Sequence, residues 1–230
     1  MEYYEKFNNI VAVSDYCKES IIKKLPNMEH KIKIIYDIIS PKLINEMSYE
    51  NNSFDDNYKG IRILTIGRLV HLKGYDMAIE AAHRLKQEGY DFKWYSIGEG
   101  ELRTKLEEIV REYGLVDNFI FIGTTHNPYT YLRQCDIYVQ PSRYEGFGMA
   151  IAEAKILNKV IVATDFNIVY NQLENNKNGK IVDMNGESLY MGIKEILEDK
   201  NLRRIIKYNL SNENIGTENE ILKLYDMIES

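Results

Sequence analysis

The sequence predicts an α/β fold built on an open, doubly wound parallel sheet, with a short extra unit ahead of it. Three observations carry this reading. Short β-rich runs that are apolar on both faces recur six times, helical periods lie between them, and glycines stand at the junctions. Runs apolar on both faces suit strands buried between two layers rather than half-exposed hairpins. With 230 residues and 44% hydrophobic content the chain can bury a substantial core.

In chain order, residues 10–13 and 31–36 read as strands flanking a helix over 15–25, which Pro26 ends. One βαβ unit is too small to stand alone, so it either joins the main sheet or is the last piece of something larger. Residues 40–60, rich in Asn, Asp and Ser, read as a linker. The six main strands follow at 61–66, 92–97, 119–122, 137–139, 160–163 and 180–182. In the helix over 75–88, Met77, Ala78, Ala81, Ala82 and Leu85 recur at i, i+3, i+4 before Gly89. In that over 101–113, Leu102, Leu106, Ile109, Val110 and Tyr113 do the same before Gly114. Shorter helical segments fill 129–133, 149–157 and 169–174, and a helical tail covers 189–197, 202–210 and 218–228. The domain division is therefore 1–40, 41–60 and 61–230.

Charge and cysteine content exclude several functions. Against 35 Asp+Glu there are 29 Lys+Arg, a net charge of −6. Such a surface argues against a nucleic-acid partner, which needs basic stripes. A small diphosphate needs only two or three local cations, so a nucleotide remains open. Two lone cysteines, Cys17 and Cys135, give neither a disulfide framework nor metal spacing, as expected of a reducing cytoplasm. No apolar run approaches the roughly 20 residues of a membrane span, and MEYYEKFNNI resembles no secretory signal.

Ligands of such sheets bind beyond the carboxyl ends of the strands, where the strand order reverses. With the order 3-2-1-4-5-6, the loops after the first and fourth strands meet there: GRLVHLKG at 67–74 and PSRYEGFG at 141–148. A surface Arg and Lys on an ordinary turn would explain the first loop alone, but two facing loops of complementary chemistry favour a site. Gly148, opening the helix over 149–157, is placed to receive a phosphate. Arg68, Lys73 and Arg143 can add positive charge. Glu145 lies on the loop, and Glu153 sits inside the most apolar helix of the chain, where a buried carboxylate needs a partner. Carboxylates accept paired hydroxyls well, so one could hold a ribose and the other a sugar ring. His71 reads as an exposed loop histidine, and Tyr131, Tyr138 and Tyr144 as packing residues.

GRLVHLKG, the GEGE turn at 98–101, FIG at 121–123 and DIYVQPSRYEGFGMAIAEA at 136–154 resemble retaining glycosyltransferases of family 4. The resemblance spans nearly all of 61–230, and its Glu-x7-Glu motif falls on Glu145 and Glu153. VAVSDYCKESI and KIKIIYD resemble the closing pieces of that family's N-terminal domain. The resemblance implies a Rossmann-like, C-terminal donor-binding half of a GT-B enzyme, with a remnant of the acceptor-binding domain over 1–40. It implies that Gly67, Arg68, Lys73, Phe147 and Gly148 hold the donor diphosphate and that Glu153 binds the ribose. Glu145 would be the catalytic carboxylate at the donor sugar. It further implies a nucleotide diphosphate sugar, UDP-linked by preference, as donor, a hexose or N-acetylhexosamine as the transferred group, and a glycan or lipid-linked acceptor.

No cofactor and no metal are expected: the resembled family needs none, no plausible metal cluster stands in the sequence, and the adjacent acids Asp55 and Asp56 fall in the linker. The acceptor-binding domain is expected in cis or as a partner, and the whole protein in the cytoplasm, associated peripherally with the inner face of the membrane. Two departures stand out. FNIVYNQ follows Thr164–Asp165 where many members carry Gly-Gly-x-Pro-Glu, and YDIIS at 36–40 lacks the usual Asn-Gly. Rival readings are a non-catalytic binding subunit of a split transferase and a nucleotide-sugar epimerase.

Overall fold

The computed structural model describes residues 2–50, 54 and 56–229. The chain first builds a small parallel pair: α1 (Glu2–Glu5), β1 (Ile10–Ala12), α2 (Asp15–Lys24), a 3-10 stretch at Pro26–Lys31 and β2 (Ile32–Ile34). Ser14 caps α2, its side chain accepting the Cys17 amide at 3.1 Å, and Lys23 and Lys24 face the negative end of the helix dipole. Among the described residues β1 pairs only with β2, so the front strands do not extend the main sheet. Ile10, Ala12, Met28 and Ile32 close a small core of their own.

The Asn- and Asp-rich stretch is not purely a linker. It opens with a helix, α3 (Pro41–Met47), and that expectation is corrected. Ser40 caps it, Pro41 occupies its first turn, and Ile44 is buried against the main sheet's helices. Asp55 lies outside the described residues. Asp56 is an ionic hub that receives Arg62 Nη2 at 2.6 Å, Lys93 Nζ at 3.1 Å and the Tyr95 hydroxyl.

The main domain then runs β3 (Ile61–Ile66), α4 (Tyr75–Gln87), β4 (Phe92–Ile97), α5 (Arg103–Glu112), β5 (Phe119–Gly123), α6 (Tyr129–Gln134) and β6 (Ile137–Gln140). It continues with α7 (Met149–Ile156), β7 (Val160–Thr164), β8 (Lys180–Val182), α8 (Gly186–Glu198), α9 (Lys200–Ser211) and α10 (Glu220–Glu229). The strands pair in parallel in the order β5-β4-β3-β6-β7-β8, which is 3-2-1-4-5-6 counted within the sheet. The order reverses between β3 and β6, where Ile63 lies beside Ile137 and Leu64 beside Tyr138.

Strand alternation supplies two cores. Ile63, Trp94, Ile137 and Val162 pack under α4, α5, α8 and α9, while Leu64, Tyr95, Tyr138 and Ile161 pack under α3, α6 and α7. Full burial of each such side chain contributes about 1.5–3 kcal/mol, which explains why the strands read as apolar on both faces. Residues 169–174 differ from the expected helix: only a 3-10 turn, Val169–Asn171, forms. Its apolar spacing reflects Ile168, Val169 and Leu173 plugging the core from an irregular loop. The tail packs α8 against α4, while the segment into α10 returns to the front unit. Among the described residues, no helix is long and apolar enough to cross a membrane.

Candidate functional site

The reversal between β3 and β6 leaves the loops after these strands side by side, and the backbone locks them together. Arg143 N–H donates to the Leu72 carbonyl at 2.8 Å. Gly74 adopts φ +65°, and a Cβ there would lie 1.9 Å from the Pro141 carbonyl oxygen, so only glycine admits this approach. The first loop thereby aims Lys73 at the second. Lys73 Nζ reaches Glu145 Oε1 at 2.5 Å, joining residues 72 positions apart.

Glu145 is only 8% exposed, although it sits on a loop. Its Oε1 also accepts Gln140 Nε2 at 2.8 Å and Ser142 Oγ at 2.6 Å. Tyr138 donates to Gln140 Oε1, fixing which face of the amide meets the carboxylate. Asn167 closes the backbone side, accepting the Glu145 amide at 3.3 Å and donating to its carbonyl at 3.2 Å. The carboxylate is held by a buried polar network in which every donor has an acceptor, the condition under which such networks are rigid.

Lys73, Glu145, Phe147 and Gly148 line one cavity of about 330 Å³, together with Val13 and Asp37 of the front unit. Gly148 takes φ +85° and begins α7; Ile151 already donates to the Gly148 carbonyl at 3.0 Å, so the Met149 and Ala150 amides are left without an acceptor among the described residues and present a partial positive charge. Gln172 donates to the carbonyls of Phe147 and Gly148 and braces this turn from behind. A larger groove of about 1060 Å³ lies at the β8 edge, but its charges are spent on one another, as in Lys180–Glu195, and on the neighbouring Glu88 through Lys194. It lacks a glycine turn like that of Gly148, and the starts of α8 and α9 at its rim are already capped by the Asn185 and Asp199 side chains.

The other expected residues fall as follows. Arg68 is exposed, and among the described residues its guanidinium has no hydrogen bond or ion pair. Gly67 sits behind Lys73, its carbonyl accepting the Tyr75 hydroxyl at 2.8 Å. Glu153 lies one turn below Met149, outside the cavity lining, and accepts the Tyr129 hydroxyl at 3.2 Å. Burial raises its carboxyl pKa, and the Tyr129 hydrogen bond offsets part of the rise. Tyr129 is itself pushed up to about 12 by burial and the Glu153 charge. Arg143 is corrected as a source of free positive charge. It forks onto Asp76 at 2.8 and 2.6 Å and onto the His71 carbonyl at 2.9 Å. Tyr138 is fully buried, Tyr131 packs on Phe54, and Tyr144 meets Tyr16 edge-on at 5.9 Å.

Residues 50–212 match the family described as glycosyl transferases group 1. The chain belongs to this family. The N-acetylgalactosamine-N,N'-diacetylbacillosaminyl-diphospho-undecaprenol 4-alpha-N-acetylgalactosaminyltransferase of Campylobacter jejuni is 29% identical over 206 residues, 89% of this chain and 54% of its own. The capsular polysaccharide biosynthesis glycosyltransferase CapM of Staphylococcus aureus is 24% identical over 211 residues, 87% of this chain and 55% of its own. A crystal structure of a Staphylococcus aureus TarM variant with fondaparinux, alpha-GlcNAc-glycerol and UDP matches with TM-score 0.81 at 22% identity, covering 100% of this chain and 46% of that one. The parallel sheet is thus that of GT-B glycosyltransferases. The chain spans about half the length of the curated relatives it matches.

As a group 1 glycosyl transferase, the chain carries four supporting residues that sequence reasoning passed over: Gln140, Ser142, Asn167 and Gln172. Gln140 and Ser142 flank Pro141 at the end of β6, where a polar pair after an apolar strand is a usable signal. Asn167 and Gln172 fall inside FNIVYNQ, the very stretch that departs from the common pattern. They hold Glu145 and the Phe147–Gly148 turn in place.

Proposed function

We propose that this chain is the C-terminal, donor-binding domain of a retaining, family 4 glycosyltransferase that uses a nucleotide diphosphate sugar, UDP-linked by preference. The observation that carries the reading is the meeting of Lys73 and Glu145 in one cavity at the start of α7. Lys73, the free Arg68 and the first amides of α7 take the diphosphate, with Gly67 and Phe147 shaping its path. Glu153 takes the ribose, and Glu145 orients a hexose or N-acetylhexosamine. Catalysis is then largely positioning, plus stabilisation of the charge that grows on the leaving diphosphate. These cations and amides supply that stabilisation with no metal ion or cofactor.

The acceptor in this proposal is a glycan or lipid-linked chain, as the names of the Campylobacter and CapM relatives suggest, handled at the cytoplasmic face of a membrane. The acceptor-binding half, in cis or as a separate chain, would cover the exposed Tyr3, Phe7, Val11 and Tyr16 of the front unit. On its own, this chain binds donor without completing transfer.

A thermal-shift panel of UDP, GDP, ADP and their sugars, with and without a chelator, tests this. A ligand at 100 times its dissociation constant stabilises the native state by about 2.7 kcal/mol. UDP and a UDP-sugar should each raise the midpoint as much with EDTA as without it. No shift with any nucleotide would remove the proposal, and a shift abolished by EDTA would remove its metal-free part.

A further inference from the structure

Asp37 lines the same cavity as Lys73 and Glu145, yet it belongs to the front unit, just beyond β2. Its position is fixed from two sides. The Asp37 carbonyl accepts Thr217 Oγ1 at 2.5 Å, and the same hydroxyl oxygen accepts the Ile39 amide at 2.8 Å. Tyr36 donates its amide to Glu220 Oε2 at 3.0 Å and sets its ring 6.0 Å from that of Phe147. A backbone pinned in this way holds a side chain ready before any ligand arrives, which lowers the ordering cost of binding.

The Asp37 carboxylate has no hydrogen bond or ion pair among the described residues, although burial already raises its pKa. Glu145 spends only Oε1 on its three protein donors. Two acceptor groups therefore remain for a ligand. The rest of the lining includes Val13, Ile66, Met149 and Ala150, an apolar wall suited to the carbon face of a ring. Among the side chains of the lining, Lys73 is balanced by Glu145, and no cation balances Asp37.

We propose that Asp37 reads the hydroxyls of the donor's sugar and selects a neutral pyranose over a carboxylated one. This rests on the donor-binding reading above and adds a contact from outside the main sheet. A hydrogen bond to a charged group is strong enough that losing it weakens binding about tenfold or more.

Calorimetry on the whole chain with UDP, UDP-glucose, UDP-N-acetylglucosamine and UDP-glucuronate tests it, using Asp37→Ala and the near-isosteric Asp37→Asn. UDP should bind both variants within about twofold of the parent chain. The better-bound of the two neutral UDP-sugars should lose about tenfold in Asp37→Ala and less in Asp37→Asn. Equal losses for UDP and UDP-sugar would show a merely structural residue and overturn the inference, as would no loss at all. Parent-chain binding of UDP-glucuronate as tight as that of the neutral sugars would overturn the selectivity. Failure of UDP, GDP and ADP alike to bind the parent chain would remove the donor-binding reading itself. UDP binding with no added affinity from any sugar would remove only the role of Asp37.

Discussion

Replacing Lys73 by alanine separates two things this side chain does. Its ammonium neutralises a carboxylate that is 8% exposed, and it faces the cavity, with 21% of its own side chain accessible. Removing one partner of a fully buried pair costs about 3–5 kcal/mol. Here Gln140 and Ser142 still donate to Glu145 Oε1, and the cavity admits water. The loss should therefore be nearer about 2 kcal/mol, the scale of one hydrogen bond to a charged group. For a chain of this size that lowers the thermal midpoint by about 4–8 °C. Glu145→Gln in the same background removes the unpaired charge, so the double variant should recover about 1–2 kcal/mol relative to additivity. Urea unfolding of the four proteins in the cycle measures this, and calorimetry should show Lys73→Ala weakening UDP binding about tenfold. Additive losses within about 0.5 kcal/mol would refute the pairing, and unchanged UDP affinity would refute its role toward diphosphate.

Two further substitutions test the frame around this pair. Gly74→Ala must carry a Cβ at φ +65° within 1.9 Å of a backbone oxygen, and should cost about 3 kcal/mol or more by urea unfolding. Gly89→Ala, at φ +83° with open space around it, should cost only about 1 kcal/mol, and similar losses at the two sites would sink the steric argument. Glu153 has a raised native pKa, so the native state binds its proton more tightly than the unfolded chain does, and that contribution fades as pH rises through the native value. Glu153→Gln should accordingly be more stable than the parent at pH 7 and lose that advantage near pH 4. A variant less stable than the parent at pH 7 would mean that the carboxylate is already well satisfied.

The sheet was legible in the sequence because its strands are buried on both faces, so each writes a dense apolar run, and glycines punctuate the turns. Their order, β5-β4-β3-β6-β7-β8, is the common doubly wound one, which right-handed crossovers make one of a few possibilities without singling it out. What could not be read are pairings between distant positions. Arg143 looks like a free cation until the fold sets Asp76 beside it, 67 residues away in sequence. Glu145 and Lys73 were each legible as polar residues on Gly-rich loops, but not the three donors converging on a single oxygen. The helix α3 was missed for a different reason. Its Ser40–Pro41 start is a good local signal, outweighed by the Asn and Asp that follow it. The run at 169–174 misled in the opposite sense, since burial without regular hydrogen bonding leaves the same apolar spacing as a short helix.

The loop carrying Glu145 is also gripped from outside. Tyr16 meets Tyr144, Cys17 Sγ lies 3.8 Å from the Gly146 carbonyl, and Tyr36 lies against Phe147. All three gripping residues belong to the small front unit, while Gln172 and Asn167 anchor the loop to the main sheet. The loop therefore ties the front unit to the main domain. A swing of the front unit about residues 36–40 would pull at Tyr144, Gly146 and Phe147 together, re-aiming the amides at the head of α7. Occupancy on one side would then be felt mechanically at the other through this turn, beside the links of Thr217 and Glu220 to residues 36–39.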